Sequence, residues 1–296
     1  MLLVSISIRI FPQYNTYFTL LQCEKITLLG CMMKKGAASV TRQSTSDYNE
    51  YFRCLVSAIR SSNAELVDKL LELKELRVGS KFNQGTKKCV SPLYAAAHGG
   101  QVEVVCKLLR VPGVDVNRMN SEGVTPLHIA VRQGHKEIVN ILLSVSGVNI
   151  NTQDTGGETP LFSAAWMGHT KIVAALLGVS GVNVDVVNGE CFTPLYAASY
   201  NGHAKVVELL VAAGANLNFQ AGVYLNQVPI YVSPLFAAVG EGHAETVRML
   251  VNAHVELNTR MDGETPLHVA AIEGYHDIVQ LLVEAGVDPN EKSHKG

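Results

Sequence analysis

A four-residue word recurs six times in this chain, and the spacing of its copies limits the possible folds more than any other feature. The copies begin at Ser91, Thr125, Thr159, Thr193, Ser233 and Thr265, and each reads Ser or Thr, Pro, Leu, then an aromatic ring residue. Successive copies start 34, 34, 34, 40 and 32 residues apart. Such spacing indicates one structural unit that is copied and stacked, because a unit this small cannot bury its own apolar face.

The second copy indicates what each unit is expected to form. Thr125 is a favourable helix N-cap residue, and Pro126 is tolerated at the first helical position. Apolar residues follow at helical spacing until Gly134, which supplies the left-handed conformation that ends a helix. The apolar residues of 138–143 predict a second helix that ends at Gly147. The turn-rich link to the next copy predicts a loop or a short hairpin.

These segments resemble ankyrin repeats. The stretches TPLHIAVRQGHKEIVNILL and TPLHVAAIEGYHDIVQLLV carry the Thr-Pro-Leu-His word of that family. Gly-His pairs that fit the same family begin at Gly134, Gly168, Gly202 and Gly242. The resemblance implies an all-α fold, an ankyrin-type helical repeat solenoid with short β-hairpin loops. It also implies that the histidines of the word and of the Gly-His pairs brace turns by hydrogen bonding.

The repeat pattern divides the chain into three parts. Residues 91–296 are expected to form six ankyrin-like repeats, with the chain ending inside a further hairpin. Residues 48–90 follow the helical pattern without the repeated word, which is typical of a degenerate N-terminal capping repeat. Residues 1–47 are expected to be a leader and linker that is disordered, or that is translated from upstream of a true start at Met32.

A secretion signal in the leader is the less favoured interpretation. Residues 28–31 resemble a bacterial lipoprotein cleavage site. Glu24 and Lys25, however, interrupt the apolar run that such a signal needs.

Three positions depart from the pattern. Cys89 and Cys191 replace the usual loop glycine, so their two loops are expected to be less regular. His254 stands where Gly147 and Gly214 end their helices, and the sequence therefore predicts a distorted helix end at this position.

Charge is divided unevenly along the chain. Residues 1–90 carry 13 Lys and Arg against 7 Asp and Glu, whereas residues 91–296 carry 11 against 19. An acidic repeat region argues against nucleic acid as a partner, since nucleic acid needs a basic surface. A basic or neutral protein partner is easier to accommodate.

Motifs for catalysis and for cofactors are missing from the sequence. The six cysteines have no close pairing, which favours reduced thiols in a cytosolic setting over disulfides or a zinc site. There is no P-loop, dinucleotide fingerprint, nucleophile elbow or H-E-x-x-H motif. We therefore expect no enzyme, no catalytic residue, no metal and no cofactor.

Residues 209–240 carry no charge and are long enough to span a bilayer. Asn216, Asn218 and Pro229 lie inside this stretch, and its apolar residues occupy repeat positions. We therefore expect no membrane span.

The residues just before each Gly-His turn are expected to sample the recognition surface. At most of these positions the side chain is polar or small, and Arg132 is expected to be an exposed charge at the rim. Trp166, the only tryptophan, is followed by Met167, and Tyr200 occupies the equivalent position one repeat later. With Phe192 these residues are the candidate partner-binding site, because exposed aromatic residues are typical of interface hot spots. Alternatively, Trp166 and Phe192 pack against neighbouring repeats and only stiffen the stack.

The longest spacing marks an insertion between residues 219 and 232. Strand-like residues, including Tyr224 and Tyr231, flank the polar pair Asn226-Gln227 and predict a longer hairpin finger. Tyr224 and Tyr231 are therefore further candidates for partner binding, since function concentrates in such loops. A tolerated insertion without function is the other interpretation.

Taken together, the sequence predicts a monomeric, cytoplasmic, non-enzymatic scaffold that binds a partner protein through hairpin tips and the concave inner-helix surface. Two alternatives stay open. The chain is a regulatory fragment of a larger enzyme or channel, or it is a microbial effector that acts in the cytosol of a host cell.

Overall fold

A computed structural model describes the backbone of residues 45–72, 90–225 and 228–293, and the side chains of these residues outside 45–52 and 221–231. Residues 1–44 of the expected leader and the last residues of the expected terminal hairpin lie outside the described part. The chain divides into two units, 1–57 and 58–296. The repeats belong to the second unit.

The described residues form fourteen helices and one pair of strands. Two helices precede the first repeated word, α1 (Thr45–Arg60) and α2 (Ala64–Glu72). The first helices of the six repeats are α3 (Pro92–His98), α5 (Pro126–Arg132), α7 (Pro160–Trp166), α9 (Pro194–Tyr200), α11 (Pro234–Gly240) and α13 (Pro266–Ile272). The second helices are α4 (Val102–Leu109), α6 (Lys136–Leu143), α8 (Thr170–Leu177), α10 (Ala204–Ala212), α12 (Ala244–Asn252) and α14 (His276–Glu284).

Each first helix begins as the repeated word predicts. The proline is the first helical residue, and the Ser or Thr before it is the N-cap. At Thr159 the hydroxyl oxygen accepts a hydrogen bond of 3.1 Å from the backbone N–H of Phe162. This bond satisfies one of the N–H groups that a helix start leaves without a partner.

Packing between neighbouring repeats builds a continuous core. Each first helix contacts the first helix of the next repeat, and the second helices do the same. Leu127, Ile138 and Leu142 are fully buried, as are their equivalents Leu161, Ile172 and Leu176. The prediction of an all-α helical repeat solenoid is confirmed.

The insertion forms the predicted finger. Strands β1 (Ala221–Leu225) and β2 (Val228–Val232) pair antiparallel, with Tyr224 opposite Pro229 and Tyr231 opposite Gly222. The side chains of Tyr224 and Tyr231 lie outside the described part of the structure. The other loops of the described repeats are shorter turns, closed by bonds such as that from Asp154 N to Glu158 O at 3.1 Å.

The prediction of an irregular loop at Cys191 and of a distorted helix end at His254 is wrong. His254 adopts φ of 61° and Cys191 adopts φ of 63°, so each takes the left-handed conformation that glycine takes elsewhere. The bond from His254 N to Val251 O is 2.9 Å, against 3.0 Å for the equivalent bond of Gly214. The backbone therefore keeps the repeat geometry, and the local cost is the close approach of Cβ to the following carbonyl oxygen. Cys89 lies outside the described residues.

The loops are tied to their neighbours by asparagine side chains that recur with the repeat period. Asn117 Nδ2 donates to Gly147 O at 2.7 Å, and Asn151 Nδ2 donates to Gly181 O at the same distance. Each asparagine oxygen also accepts a backbone N–H from that following loop. Equivalent residues thus make equivalent ties in successive repeats.

His128 makes the stability of the fold depend on pH. The ring is fully buried, its Nδ1 lies 2.8 Å from Thr125 Oγ1, and its Nε2 donates to the backbone oxygen of Glu158 at 3.1 Å. Because a carbonyl only accepts, Nε2 carries the proton and Nδ1 does not. Burial lowers the pKa of His128 from its ordinary 6.5 to about 4.

The unfolded state therefore binds a proton to this histidine before the folded state does. We expect the free energy of unfolding to fall by about 2 kcal/mol from this residue between about pH 7 and about pH 5. Chemical denaturation over this range should show a weaker pH dependence for His128→Gln. His268→Gln is the matched control, because His268 caps its helix in the same way but is partly exposed. Equal slopes for the wild type and His128→Gln would contradict the assignment.

Candidate protein-binding surface

Five aromatic rings form a continuous row across two neighbouring repeats, here called the aromatic row. Phe162 and Trp166 lie four residues apart on α7, and Tyr196 and Tyr200 lie four residues apart on α9, so each pair shares a helix face. Successive ring centroids are 6.4 Å apart for Phe162–Trp166, 5.8 Å for Trp166–Tyr200, 6.2 Å for Tyr200–Tyr196 and 4.3 Å for Tyr196–Phe192. All four pairs are nearly parallel, with interplanar angles of 17° or less.

The aromatic row reaches the surface only where α7 and α9 end, at Trp166 and Tyr200, and this part is called its open end. Phe162 and Tyr196 are buried, whereas Trp166 and Tyr200 are partly exposed. Met167 follows Trp166 and is 36 % exposed. The expectation of an exposed Phe192 is wrong, because this ring is only 4 % exposed and stacks on Tyr196. Phe192 therefore supports the row from inside.

Histidines of the following repeats hold the backbone at the open end of the row. His203 Nε2 donates to Trp166 O and His243 Nε2 donates to Tyr200 O, both at 3.0 Å. His135 makes the equivalent bond in an earlier repeat, to His98 O at 3.2 Å. His169 has no partner for Nε2 among the described residues. The bracing role that the resemblance implied is thus observed at Trp166 and at Tyr200.

The loop before α9 is fixed by one asparagine. Asn188 Oδ1 accepts the backbone N–H groups of Glu190 at 3.0 Å and of Phe192 at 2.9 Å. Gly189 N also donates to Gly156 O of the preceding loop at 2.7 Å. These bonds place the exposed Glu190 at the loop tip and direct Phe192 into the protein.

Carboxylates lie close to the buried phenol of the row. Burial raises the pKa of Tyr196 above its ordinary range, and the nearby Tyr200, Glu241 and Glu190 raise it further. Burial together with the charge of Glu158 also raises the pKa of Glu190. Glu190 and Glu241 therefore act on the Tyr196 phenol in the same direction as its burial.

Arg132 is not the exposed rim charge that the sequence predicted. Its side chain is 19 % exposed, and Nη2 contacts Asp154 Oδ2 at 2.5 Å and Glu158 Oε2 at 2.8 Å. Ser163 Oγ completes the cluster by donating to Glu158 Oε2 at 3.0 Å. Sequence reasoning missed this network because its carboxylates come from the next loop. The signal for it is the pair Asp154 and Glu158 in a loop that has no cation of its own.

The described part of the chain offers no metal site and no membrane helix. No three His, Cys, Asp or Glu side chains in it converge closely enough to hold a metal ion. None of its helices is long and apolar enough to cross a membrane.

Helix pairs stacked in tandem, first helix on first helix and second on second, define a helical repeat solenoid. The family model described as "Ankyrin repeats (3 copies)" matches this chain three times, over residues 55–154, 145–221 and 223–293. The chain belongs to the ankyrin repeat family. Ankyrin repeats are generally protein–protein interaction modules and are typically non-enzymatic.

Solved structures of the same fold come from several sources. The ankyrin repeat domain of human ASB11 is 27 % identical with a TM-score of 0.58, and the match covers 70 % of this chain and 89 % of that one. The ankyrin repeat domain of Bcl-3, a member of the IkappaB protein family, is 26 % identical with a TM-score of 0.62, covering 70 % and 90 %. An ankyrin repeat domain from Acinetobacter baumannii AYE is 26 % identical with a TM-score of 0.59, covering 67 % and 98 %. None of the curated proteins matches this chain.

Proposed function

We propose that this chain is a non-enzymatic scaffold that docks a partner protein on the open end of the aromatic row, formed by Trp166, Met167 and Tyr200. The observation that carries the proposal is a pair of partly exposed, stacked rings beside an exposed methionine. The rings are held by buried aromatic residues and by histidine bonds to their own backbone. Such a surface is already ordered before binding, so little conformational entropy is lost on docking.

The inserted hairpin, β1 and β2, is the second candidate surface. Its register is well defined, and Tyr224 and Tyr231 lie on opposite strands. Loops of this kind carry function more often than the elements they connect. It becomes the primary candidate if substitution of Trp166 leaves partner binding unchanged.

The setting of the scaffold is also a proposal. A cytoplasmic monomer fits a sequence whose six cysteines include no closely spaced pair, and it fits the typically non-enzymatic character of the family. A regulatory segment of a larger enzyme or channel, and a microbial effector in a host cytosol, are the alternatives. Similar structures come from human and from a bacterium, so they favour neither source.

Trp166→Ala should weaken partner binding by about 2 kcal/mol, the range of an interface hot spot. The fold should survive, because Leu161, Ala164 and Ile172 form the stacking core at this repeat. The test is affinity capture of a partner with the wild-type chain, followed by calorimetric Kd values for the purified pair and thermal unfolding of each variant.

Ile272→Ala is the matched control for this measurement. Ile272 ends the first helix of its repeat as Trp166 does, and it is 72 % exposed. Its loss removes apolar surface without touching the aromatic row, and the Kd should change little. A Kd that responds to Ile272→Ala and not to Trp166→Ala would place docking elsewhere.

A further inference from the structure

The loops and first helices around the aromatic row contain carboxylates and no cation of their own. Residues 153–167, 186–201 and 219–241 include no Lys or Arg. They include four acidic residues, Asp154, Glu158, Glu190 and Glu241. The net charge of this surface therefore depends on how many of these four carboxylates pair with a Lys or Arg from another part of the chain.

Two of the four carboxylates are already paired. Arg132 bridges Asp154 and Glu158 at 2.5 and 2.8 Å, so one cation serves two anions. Within the described residues neither Glu190 nor Glu241 has an ion-pair partner. Glu190 lies in the Asn188 turn, two residues before Phe192. Glu241 follows directly after α11, which packs against α9, and it lies two residues before the His243 that bonds to Tyr200 O. Both carboxylates are therefore beside the aromatic row. This surface thus combines partly exposed rings with carboxylates that lack a counter-charge.

We propose that the segment of the partner that docks here is a basic one, in which an arginine guanidinium stacks on Trp166 or Tyr200 and donates hydrogen bonds to Glu190 or Glu241. This inference rests on the proposed function. A planar guanidinium offers its face to an aromatic ring and its N–H groups to a carboxylate at the same time, which a lysine ammonium cannot do. An acidic segment would be repelled by the same carboxylates.

The experiment is a selection of random twelve-residue peptides, displayed on phage, against the immobilised full chain. The same library is selected against Trp166→Ala and Tyr200→Ala to identify the peptides that depend on the row. Synthetic versions of those peptides are then titrated by fluorescence anisotropy, together with versions in which arginine is replaced by lysine or by glutamine. We expect enrichment of arginine, and a loss of about tenfold in affinity for Arg→Gln, as for one stacked and charge-assisted contact.

Two double variants separate local recognition from general attraction to an acidic protein. Glu190→Gln with Glu241→Gln removes the carboxylates beside the row, whereas Glu103→Gln with Glu137→Gln removes the same charge from the first turns of α4 and α6. The first should weaken the arginine peptides about tenfold and the second less than about twofold. Equal weakening by the two double variants would overturn the inference.

The possible failures are distinguishable. If the peptides that depend on Trp166 are not enriched in arginine, the hypothesis of a basic partner is wrong and that of the docking surface stands. Affinity that is unchanged by Arg→Lys in the peptide overturns the stacked guanidinium. A library that yields no peptide dependent on Trp166 or Tyr200 contradicts the docking surface itself.

Discussion

Gly168→Val should lower the free energy of unfolding by about 4 kcal/mol, because strain, a steric clash and a lost hydrogen bond act at one position. Gly168 has φ of +71°, a conformation that a β-branched residue adopts only with strain. A Cβ atom there would lie 2.6 Å from Cε1 of His203. The imidazole would have to move and would lose its bond to Trp166 O. Urea denaturation monitored by circular dichroism measures the loss.

Gly274→Val is the control that isolates the strain. Gly274 occupies the same turn position with φ of +75°, but no atom lies within 4 Å of a Cβ built there. Only the left-handed conformation is then unfavourable, and the expected loss is about 1 to 2 kcal/mol. Equal losses for Gly168→Val and Gly274→Val would mean that the histidine contact contributes nothing to stability.

Arg132→Ala should destabilise the fold by about 3 kcal/mol, since it leaves two nearly buried carboxylates without their cation. Asp154 and Glu158 would be left close together, with Ser163 as the remaining side-chain donor of the cluster to Glu158. Desolvation of an unpaired charge outweighs the modest value of any single hydrogen bond. The midpoint of urea unfolding should fall accordingly.

Arg248→Ala is the matched comparison, because the pair between Arg248 and Glu245 is exposed, with an N–O distance of 3.3 Å. Exposed pairs contribute about 1 kcal/mol or less. A loss for Arg132→Ala no greater than that for Arg248→Ala would show that the buried cluster does not stabilise the repeats.

The repeated word and the turn glycine that follows it predict the fold because each acts on the conformation of its own segment. A hydroxyl cap, a proline at the first helical position and a glycine at the turn each act within a few residues. The inserted hairpin is also predictable from local sequence, since the strand-like residues on either side of Asn226 and Gln227 form paired strands. Such signals need no knowledge of neighbouring repeats.

The errors arise where a residue's environment comes from the adjacent repeat. The sequence of its own repeat predicts that Arg132 is an exposed charge, but the next loop places two carboxylates against it. The sequence predicts an exposed Phe192 at the base of its loop, yet the Asn188 turn directs this ring into the protein. The error at His254 has a different cause. A non-glycine residue adopts the left-handed conformation there, and the hydrogen bond that ends the helix is kept. The aromatic row itself follows from positions four residues apart on helices that the repeat period makes neighbours.

The asparagine ties have a consequence for how such a chain changes during evolution. Asn117 and Asn151 hold their following loops at the same 2.7 Å, although they belong to different repeats. A duplication of one 34-residue period at this point would therefore bring in its own matching donors and acceptors. The aromatic row lies wholly between Phe162 and Tyr200 and would be inherited intact. The number of repeats can thus change in this protein while the aromatic row stays unaltered.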